Sequence, residues 1–345
     1  MEKLRIDMER LKKFGMSFLK AKGVPESTAS VVTDIVVQTE AMGIHTHGLK
    51  LFPYFENMIP DELNPVSQPQ VVREKASTAL IDAREGFSQL AMKLAKEIAM
   101  KKAVETGIAM VGIKNALWMG AMGPYLFSIA ENGFFAQLWS QTSTCLDCAP
   151  FGGIDGRFST NPLALAFPGG KYQVVSDFST AMMSMGKLNQ LIRDGKRAPE
   201  KAFMDREGKL TDDPHVVPEG GTLLFFGGEN YGYKGYALSL WAEALTTMNG
   251  GSANNPKAKT RQTISLTVID PNAFEGNDYY YREIERFLAH VKSSRLRFGF
   301  ERIRFPGERA GEELERSKKE GVAVEADLFE SLSKIAEKYG LPSFS

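Results

Sequence analysis

Two of the four histidines in this chain lie two residues apart, in Gly43-Ile44-His45-Thr46-His47-Gly48-Leu49-Lys50-Leu51-Phe52-Pro53-Tyr54. An ordinary imidazole titrates near ~6.5, so it can give or take a proton at neutral pH. A helical pattern runs up to Gly43 and stops there. The turn-prone segment that follows is a common way to hold an acid/base group at the lip of a pocket. On a strand the two histidines would share a face, and on a helix they would point apart. An H-x-H pair can be half of a metal site. The next histidine is His215, however, and no nearby Cys, His, Asp or Glu set completes the ligands, so no metal is expected. From the segment alone, His47 reads equally as a structural histidine and as an acid/base catalyst.

Other residues could also carry chemistry. Cys145 and Cys148 are the only cysteines, spaced C-x-x-C. Their number excludes a disulfide framework, and no second pair completes a zinc site. A thioredoxin-like pair would open a helix, but Ala149-Pro150-Phe151-Gly152-Gly153 follows. They read as ordinary cysteines. Arg157-Phe158-Ser159-Thr160-Asn161-Pro162 places Thr160 and Asn161 ahead of an apolar run, where they could bond a polar ligand or simply make a turn. Asp177-Phe178-Ser179-Thr180 leads to Gly186-Lys187. Asp or Ser/Thr at a helix start caps it, and the free N–H groups there can hold a phosphate. Tyr233-Lys234-Gly235-Tyr236 opens an apolar helix. Lys234 is the wrong sign for a helix N-terminus, which points weakly to a bound anion. The G-x-G-x-x-G dinucleotide fingerprint is absent, since Gly232 and Gly235 are three apart, and so is a P-loop.

The elements that must position these residues are legible in outline. A helical period runs through residues 3–22, and a second helix spans 28–42. After the His segment a short helix reaches about Met58. The prolines of 60–69 read as a linker. Strands are expected at 71–74, 78–82, 108–113, 134–139, 163–167, 174–177 and 263–269. Helices are expected at 88–106, near 120–131, and at 235–248 and 280–294. Residues 195–220 are polar and read as an excursion over the surface, and the tail from 310 as charged helix. Strands and helices mix without strict alternation, so the expected class is α+β, or irregular α/β. The expected division is a helical domain of 1–70 joined by 300–345, an α/β domain of 71–118 and 225–299, and a middle segment of 119–224 that completes the site.

The totals set further bounds. The 345 residues suffice for two or three domains. With 42 basic and 42 acidic side chains there is no general pull toward nucleic acid or an anionic membrane. No apolar run spans a bilayer and no signal-peptide core is seen at the start, so a cytoplasmic protein is expected.

Seven stretches, in order and covering nearly the whole chain, make it resemble the type 2 malate/L-lactate dehydrogenase family. That family includes sulfolactate and ureidoglycolate dehydrogenases, 2,3-diketogulonate reductase and the piperideine/pyrroline-2-carboxylate reductases. The stretches are Gly43–Gly48, Asp82–Gln89, Pro150–Gly153, Thr160–Pro168, Asp177–Lys187, Lys234–Leu238 and Phe305–Gly307. The resemblance implies a non-Rossmann NAD(P)-binding fold and a homodimer with the active site near the subunit interface. It implies that His47 is the proton donor, with Thr46 beside it where Ser is usual. It places Asp177, Phe178, Ser179, Lys187, Lys234, Gly235, Gly307 and Glu308 at cofactor-contacting positions, with Asp177 also a catalytic candidate. Thr160, Asn161, Tyr54, Leu51 and Trp118 fall near the substrate.

Two departures stand out. Leu51 occupies the position of a usual arginine, and Trp118 that of a usual histidine. A Trp cannot do acid/base work but can wall an apolar pocket. A substrate bulkier or less charged than malate follows, with Lys50 or Arg157 as candidates to meet its carboxylate. The expected activity is hydride transfer between NAD or NADP and a 2-hydroxy/2-oxo acid. A cyclic imine reductase, a non-catalytic dimeric binding protein and a thiol enzyme are the rival readings.

Overall fold

The computed structural model describes residues 3–170, 172–252 and 257–342. The chain begins with β1 (Lys3–Ile6), α1 (Met8–Ala21), α2 (Glu26–Ala41) and α3 (Leu51–Met58). It continues through β2 (Gln70–Glu74), β3 (Thr78–Asp82), α4 (Ser88–Thr106), β4 (Ile108–Ala116), α5 (Gly123–Glu131) and β5 (Phe135–Thr142). Next come β6 (Leu163–Gly169), β7 (Tyr172–Phe178), α6 (Met185–Arg193), β8 (Phe203–Met204), β9 (Leu210–Thr211) and β10 (Thr222–Leu223). The last third holds α7 (Gly228–Tyr231), α8 (Tyr233–Met248), β11 (Gln262–Ile269), α9 (Asn277–Lys292), α10 (Glu308–Glu320), β12 (Val322–Glu325) and α11 (Ala326–Lys338).

Seven strands form one mixed sheet in the order β2-β3-β4-β11-β5-β6-β7. Only β3 and β4 pair in parallel, and α4 is the crossover between them. Strand alternation sends Leu138 and Trp139 to opposite faces. Leu138 joins the cluster formed with α4 and α5, and Trp139 packs with Ala242 of α8. Both covering helices are small where they meet the sheet. α4 buries Ala91, Ala95, Ala99 and Ala103, while α8 buries Gly235, Ser239, Ala242 and Thr246.

A second cluster is helical, formed by α1, α2, α3, α10 and α11 on the β1–β12 ribbon. Phe18, Phe52 and Phe55 are fully buried there, each contributing roughly 1.5–3 kcal/mol. A third, smaller cluster gathers Cys148, Phe158, Leu188, Phe203, Leu223 and Phe225. Segment 119–224 thus divides between the large sheet, through β5–β7, and this third cluster.

Three expectations need correction. The helix expected over 3–22 starts only at Met8, because Asp7 accepts the Arg10 N–H at 3.0 Å and caps it. Lys3–Ile6 instead pairs antiparallel with Val322–Glu325, which also puts a strand in the tail expected to be helix. The polar stretch 195–220 is not only an excursion. It carries β8 and β9 and buries Ala198, Ala202 and Phe203. No helix among the described residues is long and apolar enough to cross a membrane.

Candidate active site

The imidazole loop begins where α2 ends. Met42 is the C-cap, and Gly43 follows with φ 71°, a left-handed turn that favours glycine. The His47 N–H returns to the Ile44 carbonyl at 3.1 Å. Thr46 Oγ1 lies 2.6 Å from His47 Nδ1. Nε2 has no hydrogen-bond partner among the described residues. Burial and then the Lys50 ammonium push this imidazole down to about 4, so it is neutral at pH 7.

The wall opposite His47 is aromatic. The Trp118 ring stands edge-on to His47 at 5.6 Å and to Tyr54 at 5.4 Å between centroids. The loop holding Trp118 is tied down along its length. Ser88 donates to the Leu117 carbonyl, and Gln89 and Tyr125 donate to that of Met119. The Met119 N–H bonds Gln262 at 3.0 Å. Gly120 (φ 83°) passes so close beneath that a Cβ would sit 3.0 Å from the His47 carbonyl oxygen and from Leu51 Cδ1. Leu51 itself is 1% exposed and belongs to the helical core, behind the site.

The third side is the first turn of α6. A Cβ on Gly186 would lie 3.3 Å from Thr46 Cβ and 3.7 Å from His47 Cε1. Sequence reasoning missed Gly186 as a neighbour of the imidazole, because only the fold brings the two stretches together. The cap of α6 is Ser184, which accepts the Lys187 N–H, and not the Asp177-Ser179-Thr180 run. Asp177 is the penultimate residue of β7 and works at the sheet edge. Its Oδ2 accepts the N–H groups of Met122 at 2.9 Å and Gly123 at 2.7 Å, so it caps α5 and braces the Trp118 loop.

The remaining candidates form the floor and rim. Ser179 Oγ donates to the Thr160 carbonyl at 3.1 Å. Asn161 is fully buried at φ 36°; its amide donates to Ser239 and Glu243 of α8, both at 2.9 Å. It joins β6 to α8 and offers nothing to a ligand. Gly235 is a close approach, since a Cβ would sit 2.6 Å from both Phe226 N and the Thr180 carbonyl. Phe178 and Phe226 form an exposed aromatic pair at 6.1 Å. Lys187 and Lys234 are exposed. Lys234 lies over the Tyr231 ring at 5.1 Å and has no carboxylate partner among the described residues. Gly307 (φ 92°) packs on Val175 of β7, and Glu308 pairs with Lys292 and accepts the Phe305 N–H at 3.0 Å.

Of the two proposed carboxylate partners, Arg157 is engaged by Asp155 at 2.8 Å. Lys50 makes only a long contact, 3.7 Å, to Glu325. A separate apolar cavity of about 470 Å³, lined by Phe135, Phe274, Tyr279, Tyr280 and Ile284 among others, shares no residue with this site.

Residues 6–333 match the model of a family described as malate/L-lactate dehydrogenase. An L-sulfolactate dehydrogenase of Methanocaldococcus jannaschii is 33% identical, with 96% of each chain covered. A Δ1-pyrroline-2-carboxylate/Δ1-piperideine-2-carboxylate reductase of Pseudomonas putida is 31% identical over 96% of this chain and 97% of that one. Among solved structures, a malate dehydrogenase from Pyrococcus horikoshii superimposes with a TM-score of 0.88 at 31% identity, covering 99% of this chain and 97% of that one.

Proposed function

The chain belongs to the malate/L-lactate dehydrogenase family, and from that premise we propose that it moves a hydride between a nicotinamide cofactor and a 2-hydroxy/2-oxo acid with an apolar or cyclic side chain. The observation that carries this reading is the neutral, half-buried His47 with Nε2 unengaged, facing Trp118.

The residues present suit a dinucleotide. Lys187 and Lys234 are exposed cations without carboxylate partners among the described residues, and Phe178 and Phe226 offer exposed aromatic faces. We assign Asp177, Phe178, Ser179, Lys187, Lys234, Gly235, Gly307 and Glu308 to its binding. Bound there, NAD or NADP supplies or accepts the hydride through its nicotinamide ring. A single parallel strand pair in the sheet favours a non-Rossmann way of holding it.

The protein supplies a proton route and an orientation. His47 Nε2 takes the hydroxyl proton of the 2-hydroxy acid, or returns it to the carbonyl oxygen of the 2-oxo acid. Thr46 fixes the ring through Nδ1. Trp118 and Tyr54 exclude water and pack on the substrate's side chain. Lys50, loosely held and close enough to depress His47, meets the carboxylate. The second reading is reduction of a cyclic imino acid, with the proton delivered to nitrogen. The flat Trp118 face and the Pseudomonas putida relative favour it.

A homodimer and a cytoplasmic location belong to the same reading. The outer stripe of α8 exposes Tyr233, Leu240, Trp241 and Met248, and we place the seam there.

Titration with NADH and NADPH, followed by energy transfer from tryptophan, tests cofactor binding. A panel of 2-oxo acids and cyclic imines then tests chemistry. We expect saturable binding of one cofactor, and His47→Ala to lower turnover by roughly 10² to 10⁴. Wild-type turnover in a folded His47→Ala protein would remove His47 from the mechanism. Failure of both cofactors to bind would favour a non-catalytic binding protein.

A further inference from the structure

We infer that Glu40 is a positioning residue for His47, acting through His45 and the backbone of Leu49; the inference rests on the acid/base role proposed above for His47. Glu40 stands in the last turn of α2 and is 1% exposed. The other buried residues of that helix are apolar or threonine. A carboxylate in such a place is costly unless both oxygens are engaged. They are engaged on either side of His47. Oε1 meets His45 Nδ1 at 2.5 Å, and Oε2 accepts the Leu49 N–H at 2.9 Å.

Gly48 completes the fit. A Cβ there would stand 2.4 Å from Glu40 Oε2 and 2.8 Å from the Glu40 backbone nitrogen. The loop is therefore wound around the carboxylate, with His47 at the crest of the winding. His45 carries the tether onward. Its Nε2 lies 3.0 Å from Lys3 Nζ, and an ammonium can only donate. Nε2 is then the acceptor, and Nδ1 holds the proton given to Glu40. Lys3 is in β1 and pairs in register with Glu325 of β12, the residue that Lys50 approaches. Both flanks of His47 are thus tied to the same ribbon, one through His45 and Lys3, the other through Lys50.

Glu40→Gln tests this. The amide keeps an acceptor for Leu49 but sets an N–H against the Nδ1–H of His45. Two readouts are taken together on the full chain: turnover with KM and cofactor affinity, and the ring ¹⁵N resonances of the four histidines. We expect turnover to fall about 10- to 100-fold with cofactor affinity within about twofold, since a small displacement of a catalytic group costs rate more than binding. We also expect the His47 ring resonances to move while those of His215 and His290 stay. Turnover within about twofold of wild type, or a loss of rate with unmoved His47 resonances, overturns the assignment.

If Glu40→Gln does not fold, His45→Ala and His45→Gln decide, because His45 is partly exposed. The alanine should shift the His47 resonances and the glutamine, which can still donate to Glu40, should restore them. An unshifted His47 in His45→Ala overturns the assignment. The resonances need no catalysis, so they are informative even if the oxidoreductase reading fails.

Discussion

His47 is neutral at pH 7, so the acid/base role proposed for it predicts a pH dependence that differs between the two directions of reaction. Taking a proton from a 2-hydroxy acid needs the free base, which is present at any pH above about 4. Giving one to a 2-oxo acid needs the imidazolium. We therefore expect kcat/KM for oxidation to stay level from neutral pH down to about 5 and to fall below about 4. For reduction it should climb as pH falls from 7. Lys50→Gln removes the positive charge that helps depress the imidazole, so the acid limb should move up in pH. A limb that stays in place would assign it to another group.

The role proposed for Trp118, reading the substrate's side chain, belongs to the same scale. Trp118→Ala should lower kcat/KM for a ring-bearing or branched 2-oxo acid by about 10- to 100-fold, with a smaller change for pyruvate. Equal losses for both would show that the ring does not read the side chain. Such roles differ in how visible they are in a sequence. His47 stands out by type and by its glycine neighbours. Glu40 does not, because an acid in an amphipathic helix reads as solvated until the fold shows its two oxygens facing inward. Asn161 misleads in the opposite sense, since a polar residue before a strand looks available and is wholly enclosed.

Among the elements, legibility follows punctuation. α4 spans 88–106 in sequence pattern and in structure alike, with Gly107 (φ 80°) closing it. The large strands were readable in place, though β4 and β5 each run three residues past the expected end. β1 was not, since Leu4, Met8 and Leu11 continue one helical period across its boundary. Its partner is β12, Val322–Glu325, so far along the chain that no local pattern can announce it. α8 shows how closely these elements are fitted. Gly235 lets its first turn press on the backbone of Phe226 and Thr180, groups that cannot swing aside. Gly235→Ala should destabilise the fold by about 1–3 kcal/mol, read as a lowered urea midpoint. An unchanged midpoint would mean that the helix slides to make room.

At the scale of the molecule, α8 has a second consequence. Its inner face is small and buried, while its outer face carries Trp241 at 58% and Met248 at 68% exposure. Monomers rarely leave such a stripe in water. With the seam placed there, Trp241→Glu should convert a dimer to a monomer at micromolar concentration, measured by light scattering on a sizing column. An unaltered mass would move the seam elsewhere. That strands and helices mix without strict alternation was legible from the order of elements, while the single parallel pair and the small-residue faces of α4 and α8 came only with the structure. The enclosure of the site by three distant stretches, around Thr46, Trp118 and Gly186, was not, because spatial neighbours so far apart leave no trace in spacing.

The ribbon of β1 and β12 places a condition on biosynthesis. Its strands, β1 at Lys3–Ile6 and β12 at Val322–Glu325, flank the large sheet in sequence, so β12 is made after every strand of that sheet. The large sheet, whose strands lie between them, can close in the meantime. The loop bearing His47 is moored to the ribbon, so it cannot take its final shape before β12 has been made. The acid/base role proposed for His47 is thus acquired late, once β12 has been made and has paired with β1.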